Sequence, residues 1–357
     1  MLWVFRLSVA QAVMACALYL GGYDLAHATA MLTYTFDDGA SSQWDAYQIL
    51  QERGQVGTIG AVARYVATGY PTVLSKAQLL TMQSAGWETA SHGLNHRALS
   101  KMPLTYADEP LSGWQQESAV LFRASYAYGE LPLLLVDDKE LSRVASTAAV
   151  ASTPGSWWHD TSTGSVYVHT QDGTSPNAHV VRAGSAEREL DVSDRELSAM
   201  GLNVTDFIAP FSDWSEALSK LASKYYDGAA TGYSQLVLNE PATFQGYSIN
   251  RSAVAASATV ADIEAWIDKA MQEDAWLILL MHNIGTTTGD YWWSSSNLDE
   301  LAGWVSGQPI DVVTLRQGLE RISSVPEPAS ATLFLWAIGV GVLARARQGR
   351  RARQTAA

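Results

Sequence analysis

Cysteine is nearly absent from this chain: Cys16 is the only one among 357 residues. A single cysteine excludes a disulfide scaffold and any zinc site built from thiolates. Basic residues are also scarce, with 23 Lys and Arg against 36 Asp and Glu, which gives a formal charge of −13. We therefore expect no nucleic-acid partner, because a phosphate backbone attracts clustered Lys and Arg. Hydrophobic residues reach 47%, so the chain is too apolar to be disordered.

The first thirty residues are typical of an export signal. Arg6 supplies a positive charge, an apolar run extends from Leu7 to Leu20, and Ala28-Thr29-Ala30 offers small residues for cleavage. We predict a signal peptide over residues 1–30 and export by the Sec machinery. Two alternatives stay open for these residues: an uncleaved membrane anchor, and lipidation of Cys16.

The other end of the chain, residues 325–357, carries a second targeting pattern. Val325-Pro326-Glu327-Pro328 precedes the apolar run from Ala331 to Ala344 and a tail with five arginines. The run has about fourteen residues, short of the roughly 20 that a spanning helix needs, while the arginines favour the cytoplasmic side. This order resembles the PEP-CTERM sorting signal of Gram-negative bacteria.

That resemblance implies processing by an exosortase and transient association with the inner membrane through the C-terminal helix. The protein would be membrane-anchored before this processing. It would then reach the periplasm, the cell surface or the extracellular matrix. A plain C-terminal anchor is the alternative.

Between the two ends, apolar strand-like runs alternate with amphipathic segments, the pattern of an α/β domain. We predict strands at 31–36, 57–62, 88–91, 206–209 and 276–281, and helices at 44–53, 75–84, 186–200, 212–224, 259–273 and 297–305, followed by a strand-helix pair over 310–322. Residues 104–185 interrupt this rhythm. Their aromatic segments and the turn dipeptide Asp172-Gly173 predict an inserted β-rich subdomain. The α/β body then spans residues 31–103 and 186–322.

Chemistry-bearing motifs follow four of the predicted strands. They are Thr35-Phe36-Asp37-Asp38-Gly39, Ser91-His92-Gly93-Leu94-Asn95-His96, Ala209-Pro210-Phe211-Ser212-Asp213-Trp214 and Leu279-Leu280-Met281-His282-Asn283. In a parallel barrel the carboxyl ends of the strands share one face, where active sites are built. We therefore expect two carboxylates and three histidines to converge there.

The spacing of His92 and His96 suits a metal site, because one helical turn or a tight loop can direct both imidazoles at one ion. A neighbouring carboxylate would complete a set of two histidines and one acid that leaves positions open for water. Such open sites suit catalytic Zn²⁺, and the same ligands also bind Fe²⁺, Co²⁺ or Ni²⁺.

The four motifs in this order resemble those of the polysaccharide deacetylases with a NodB homology domain, carbohydrate esterase family four: T-F-D-D-G, H-x3-H, a Pro-aromatic pair and a late L-x-H. The resemblance covers residues 31–103 and 186–322. It implies a distorted (β/α)7-type barrel, here interrupted by the β-rich insertion.

Carried over residue by residue, the resemblance implies that Asp38, His92 and His96 hold a divalent metal, for which Zn²⁺ is the first choice. Asp37 would be the general base toward metal-bound water, and His282 the acid that protonates the leaving amine. The backbone N–H of Phe211 would stabilise the oxyanion. The implied substrate is an N-acetylated polysaccharide, hydrolysed to acetate and an amino sugar.

Aromatic residues near these motifs are candidates for contact with the sugar. We predict a substrate-binding role for five residues: Pro210, Trp214, Tyr291, Trp292 and Trp293. Two alternatives stay open: Trp214 could serve the core, and one of the last three could pack under its loop. In the insertion, Trp157, Trp158 and Tyr167 suit either a carbohydrate platform or ordinary hairpin packing.

Two departures from the family pattern stand out. Ile208 occupies the position where the family's third motif usually has a base-orienting arginine. The stretch Ile249-Asn250-Arg251-Ser252 offers no aspartate to support the acid histidine. We hypothesise that Arg251 pairs with Asp37 in place of the missing arginine. The departures keep two alternatives open: a non-catalytic carbohydrate-binding or matrix protein on this fold, and a hydrolase of another amide.

Overall fold

The computed structural model describes residues 30–287 and 289–324. Both predicted targeting segments lie outside this range: the signal peptide, apart from Ala30, and the sorting segment 325–357. Within the described residues, no helix combines the length and the apolar character that crossing a bilayer requires.

Strands and helices alternate along the chain on both sides of the insertion. The strands of the described residues are β1 (Met31–Phe36), β2 (Gly57–Ala61), β3 (Glu88–Ser91), β4 (Gln115–Gln116), β5 (Phe122–Ser125), β6 (Leu134–Val136), β7 (Lys139–Glu140), β8 (Ser142–Arg143), β9 (Ser156–Asp160), β10 (Ser165–His169), β11 (Val181–Ala183), β12 (Asp206–Ile208), β13 (Gly228–Ala230), β14 (Ser252–Ala253), β15 (Trp276–Met281), β16 (Asn283–Gly285), β17 (Trp292–Ser294) and β18 (Asp311–Val312).

The α-helices of the described residues span Gln43–Gln51, Ala63–Thr68, Lys76–Ser84, Thr147–Ser152, Ala186–Ala199, Glu216–Ala222, Val260–Gln272, Ser295–Val305 and Leu315–Ser324. Short 3₁₀ turns lie at Leu99–Lys101, Tyr106–Asp108, Pro176–Ala178 and Pro210–Ser212. Ser75 caps the third of these helices through a capping box with Gln78, as its position before an amphipathic segment predicted.

The main sheet has the strand order β13-β12-β3-β2-β1-β15-β14, with β18 beside the first residues of β1. All of these pairs are parallel. Two further parallel bridges, Ala230 with Ile249 and Tyr233 with Ser252, join the β13 side to the β14 side. The seven strands therefore close into a distorted barrel, and the predicted fold class is confirmed.

The barrel interior is built from apolar strands. All six residues of β1 and all six of β15 are buried, and the two strands pair along their whole length from Met31 with Trp276 to Phe36 with Met281. Continuous apolar runs of this kind suit parallel strands that are covered on both faces. The pairing brings the ends of β1 and β15 to the same edge of the barrel.

Residues 104–185 form two small sheets, ordered β4-β5-β10-β9-β8 and β11-β6-β7. One apolar cluster joins the two sheets, with Trp157 and Val166 from the first and Leu134 and Val181 from the second. Arg188, just after the insertion, donates two hydrogen bonds to the buried Glu109. The insertion thus has its own core and is tied to the barrel by a buried ion pair.

One predicted helix begins later than expected. The segment predicted as a helix over 212–224 is helical only from Glu216 to Ala222. Phe211 and Ser212 adopt positive φ angles of 57° and 54°, which end the preceding 3₁₀ turn and delay the helix. The short helix Ala63–Thr68 and the strands β13 and β14 were not predicted, because two to six residues carry too little periodicity.

Candidate active site and metal centre

The end of β1 and the end of β15 carry the predicted base and acid. Phe36 pairs with Met281, and the Asp37 N–H donates to the Met281 carbonyl over 2.9 Å. Asp37 and His282 are the next residues on these neighbouring strands. The side-chain amide of Gln43 donates to the backbone carbonyls of both, at 3.0 Å for His282. The two strand ends are therefore held together.

The H-x3-H segment follows β3. The His92 N–H donates to the Ala61 carbonyl over 2.8 Å, and its Nδ1 lies 2.9 Å from the Ile208 carbonyl. A hydrogen bond from Nδ1–H to this carbonyl fixes the tautomer and leaves Nε2 as an acceptor. The buried imidazole is thus oriented as metal-binding histidines are.

Asp38, His92 and His96 converge on one point. The His96 Nε2 lies 3.1 Å and the His92 Nε2 3.5 Å from the Asp38 Oδ1. One ligand atom from each residue falls within 4.8 Å of the others, and no other such group of three occurs among residues 30–287 and 289–324. Two imidazole nitrogens and a carboxylate oxygen fit a Zn²⁺-type site with open positions. The three predicted ligands thus lie close together.

The charges of this centre favour an ionised carboxylate. Burial opposes ionisation of Asp38, but hydrogen bonds with His92 and His96 hold its pKa well below the usual range. A carboxylate that stays ionised remains available as a ligand.

Arg251 is buried beside Asp37. Its Nη1 donates to the Asp37 Oδ1 over 2.6 Å and its Nη2 to Oδ2 over 3.0 Å. The guanidinium also donates to the Thr35 hydroxyl and the Thr231 carbonyl, each over 3.0 Å. Burial alone would raise the pKa of Asp37, but the Arg251 charge, with His92 and His282, lowers it overall. The hypothesised pair of Arg251 and Asp37 is present in the structure.

One cavity of about 510 Å³ receives all five side chains on which the metal and proton-transfer predictions depend. Its lining consists of Asp37, Asp38, His92, His96, Phe211, Ser212, Gly232, Tyr233, Ser234, Ala253, Leu280, His282 and Tyr291. Two acids and three histidines from the ends of three strands, β1, β3 and β15, therefore face a common space, as the carboxyl-end argument predicted.

Unusual backbone conformations concentrate at this cavity. Asp38, His96, Phe211 and Ser212 all have φ between 54° and 72°, and they are four of the seven non-glycine residues with positive φ in the described chain. Left-handed backbone costs free energy for most residues and persists where the surroundings enforce it. The lining is therefore held in a conformation that local preference opposes.

Phe211 and Tyr291 form exposed walls of the cavity. The Phe211 side chain is 66% exposed, with its ring centroid 4.5 Å from that of His96. Tyr291 is 65% exposed, and its ring lies 5.0 Å from that of His282. Among the described residues, nothing accepts a hydrogen bond from the Phe211 N–H.

Three of the residues predicted to contact the substrate do not line the main cavity. Trp214 stacks on the core residue Phe207 with a centroid distance of 5.5 Å, and its indole N–H donates to the Tyr247 carbonyl over 2.7 Å. Pro210 is buried away from the lining. Trp293 is also buried: its indole N–H donates to the Ala258 carbonyl over 2.9 Å, and the residue lines only a smaller neighbouring cavity.

Trp292 has an intermediate position. It is half-buried and lines a smaller neighbouring cavity of about 140 Å³, which shares His282 and Tyr291 with the main one. Of the Tyr-Trp-Trp trio, only Tyr291 faces the main cavity directly.

Two supporting residues were not predicted. Gln43, fully buried, links the ends of β1 and β15 as described above. Glu189 is buried on the helix after the insertion and accepts hydrogen bonds from the Asn95 N–H and side-chain amide, both 2.8 Å. Burial raises its pKa despite these bonds. Neither residue lies in a motif, so no pattern in the sequence pointed to them.

A sequence comparison adds a family likeness. The family model of polysaccharide deacetylases matches residues 26–128, which contain the first two motifs. The later motifs, including His282, lie beyond the match. No curated protein matches the chain. The predicted class, a polysaccharide deacetylase that hydrolyses carbon–nitrogen bonds, is supported by this match.

Solved structures resemble the chain at low identity. A polysaccharide deacetylase from Bacillus cereus is 15% identical with a TM-score of 0.40, over 66% of this chain and 50% of its own length. This chain therefore spans about half of that protein. The Xyl-CE4 domain of a multidomain xylanase from the hindgut metagenome of Trinervitermes trinervoides is 13% identical with a TM-score of 0.41, over 82% and 91%. A CE4 family pseudoenzyme from Bacillus anthracis is 12% identical with a TM-score of 0.38, over 82% and 66%.

Proposed function

We propose that this protein is a metal-dependent deacetylase that removes N-acetyl groups from a polysaccharide. The observation that carries the proposal is the placement of Asp37 and His282 in the same cavity as Asp38, His92 and His96. A carboxylate and an imidazole around one metal-type ligand set are the groups that amide hydrolysis needs for proton transfer.

Asp38, His92 and His96 would hold the ion. A divalent cation bound there would polarise the acetamide carbonyl and lower the pKa of a water molecule, from 15.7 in bulk toward about 7. Zn²⁺ suits the two imidazoles and one carboxylate, and Co²⁺, Ni²⁺ or Fe²⁺ suit them as well.

Asp37 would accept the proton of the attacking water. Its carboxylate is kept ionised by Arg251, whose two hydrogen bonds also fix the plane of the carboxylate. Bidentate pairing of this kind orients a carboxylate as well as stabilising its charge. Arg251 thus takes the orienting task that the absent arginine at position 208 would have performed.

His282 would donate a proton to the leaving nitrogen, so that the products are acetate and a free amine. Its side chain lines the cavity beside Tyr291. The Phe211 N–H would donate a hydrogen bond to the oxyanion that forms during attack.

Export belongs to the same proposal. A signal peptide over residues 1–30 and a sorting segment over 325–357 would bring the enzyme to the periplasm, the cell surface or the extracellular matrix. Its substrate would then be a surface or extracellular polysaccharide.

One observation favours the non-catalytic alternative. No side chain among the described residues accepts a hydrogen bond from the His282 ring, so no carboxylate orients it as an acid. A carbohydrate-binding protein that retains the metal ligands would tolerate this loss.

Acetate release from an N-acetylglucosamine hexamer tests the proposal, with elemental analysis of the bound ion. We expect release with the metal present, loss of release after treatment with a chelator, and recovery on adding Zn²⁺. A metal-loaded protein that binds the hexamer but releases no acetate would instead support the binding protein. Release of acetate or ammonia only from small non-sugar amides would support the other hydrolase.

A further inference from the structure

Two aromatic side chains lie side by side on one face of the insertion. Trp158 on β9 is directly opposite Tyr167 on the antiparallel strand β10. Their rings stack with centroids 5.6 Å apart and planes at 23°. Neighbouring aromatic residues on a sheet form such pairs readily.

Core packing does not account for this pair. Side chains alternate across a strand, so the buried neighbours Trp157, Val166 and Val168 point to the opposite face, into the apolar cluster between the two small sheets. Trp158 and Tyr167 are half-buried, and they pack against none of the apolar clusters of the described residues. The two rings therefore lie on the outer face of the sheet.

Two planar polar side chains lie next to this aromatic pair across the sheet. Arg123 on β5 is opposite Tyr167, and Gln115 on β4 is opposite Arg123. The Arg123 Nη2 donates to the Gln115 Oε1 over 2.8 Å, and its Nε donates to the Glu117 Oε1 over 2.7 Å. Across the sheet, the two aromatic rings are thus followed by the guanidinium of Arg123, which is paired with Glu117, and then by the side-chain amide of Gln115.

We propose that this row, Trp158, Tyr167, Arg123 and Gln115, binds a stretch of the polysaccharide chain away from the catalytic cavity. The choice of a sugar polymer as the ligand rests on the proposed function. The C–H face of a pyranose ring can stack on an aromatic ring, while its hydroxyl groups need hydrogen-bond partners at the edge.

The charges of the row support an uncharged glycan. Arg123 is paired with Glu117, so the row presents no unpaired cation to attract a nucleic acid or another polyanion. If an apolar surface of another protein docked here, it would bury the polar groups of Arg123 and Gln115 without offering them hydrogen-bond partners, which costs free energy. Sugar hydroxyl groups would instead supply partners for both.

Electrophoresis of the full chain through native gels containing glycol chitin tests this inference. We expect the wild type to be retarded, and Trp158→Ala and Tyr167→Ala to weaken the apparent affinity by about fivefold each, the range of one lost stacking contact. Tyr128→Ala is the matched control, because Tyr128 is an exposed tyrosine of the same insertion outside the row. This variant should be retarded like the wild type.

Acetate release from an N-acetylglucosamine trimer, measured in parallel, separates the two proposals. The row variants should keep wild-type release from this short substrate, with unchanged thermal unfolding. The inference would be overturned if the wild type is not retarded, or if the row variants are retarded as strongly as the wild type. Either result would count even with normal acetate release. Retardation that depends on Trp158 without any acetate release would overturn the proposed enzyme alone. A change of oligomeric state in the row variants would show that a second copy covers the row and would refute sugar binding.

Discussion

The two ends of the barrel bury acidic side chains in different electrostatic surroundings. At the carboxyl end of the strands, Asp37 accepts two hydrogen bonds from Arg251, and its pKa is lowered despite burial. At the amino end, Glu88 and Asp206 begin the strands β3 and β12. Burial raises the pKa of both, and the neighbouring Glu88 raises that of Asp206 further.

The partners of each acid explain the difference. Glu88 accepts hydrogen bonds from the Thr58 hydroxyl, 3.0 Å, and the Arg316 N–H, 2.8 Å, whereas the Arg316 guanidinium pairs with Glu320. Burial without a paired cation favours the protonated form of these acids. The pKa of the buried acid at the active edge is therefore lowered, which suits a charged base, whereas the pKa values of the buried acids at the opposite end are raised.

The strongest test of this comparison exchanges one acid at each end for its amide. Asp37→Asn should lower acetate release by about 10²–10⁴-fold, the range for losing a general base, without loss of bound metal. Asp206→Asn, the matched control, should release acetate like the wild type, because Asp206 lies at the opposite end of the barrel and does not line the cavity. Equal losses in both variants, or normal release by Asp37→Asn, would contradict the assignment.

Removing the cation should have the next largest effect. Arg251→Ala leaves Asp37 buried without a partner, so we expect a loss of about 3–5 kcal/mol in the free energy of unfolding, together with a large drop in acetate release. Urea unfolding and kinetics would measure the two effects.

Arg188→Ala is the control for this variant, because Arg188 also donates two hydrogen bonds to a buried carboxylate, that of Glu109. It should destabilise the protein while the folded fraction keeps its turnover. Should Arg251→Ala turn over normally, Arg251 would be structural only. Arg251→Lys should restore part of the turnover, since one hydrogen bond and the charge remain.

The smallest effect concerns pH and the amino end. Since the folded pKa values of Glu88 and Asp206 lie above their unfolded values near 4, their contribution to stability is complete below about pH 4 and is lost as the pH rises through the folded values. Asp227 adds to the negative charge near Asp206. As the pH rises, the free energy of unfolding of the wild type should therefore fall relative to that of Asp206→Asn, by about 1.4 kcal/mol per unit of pKa shift. A difference between the two free energies that does not vary with pH would show that the pair is not protonated in the folded state.

Much of the fold could be predicted because it depends on local patterns. β1, β3 and β15 have the predicted bounds, and Ser75 caps its helix as expected. The five side chains of the metal and proton-transfer predictions meet in one cavity because parallel strands place their ends on one edge.

Other features depended on distant contacts. Trp214 was assigned to the cavity, but it turns to stack on Phe207 of the preceding strand. Gln43 and Glu189 support the site from helices, and no spacing marks them. The pair of Arg251 and Asp37 joins residues 214 positions apart, so a missing arginine could suggest the contact but not its geometry.

The amino-acid sequence by itself determined the α/β alternation, the position of the insertion and the order of the motifs, because hydrophobic periodicity and strand ends are local properties of a chain. Only the tertiary structure decided which aromatic rings face a cavity and which buried carboxylates have a lowered or a raised pKa. Those outcomes depend on the side chains that barrel closure brings together, and strand pairing over hundreds of residues determines that set.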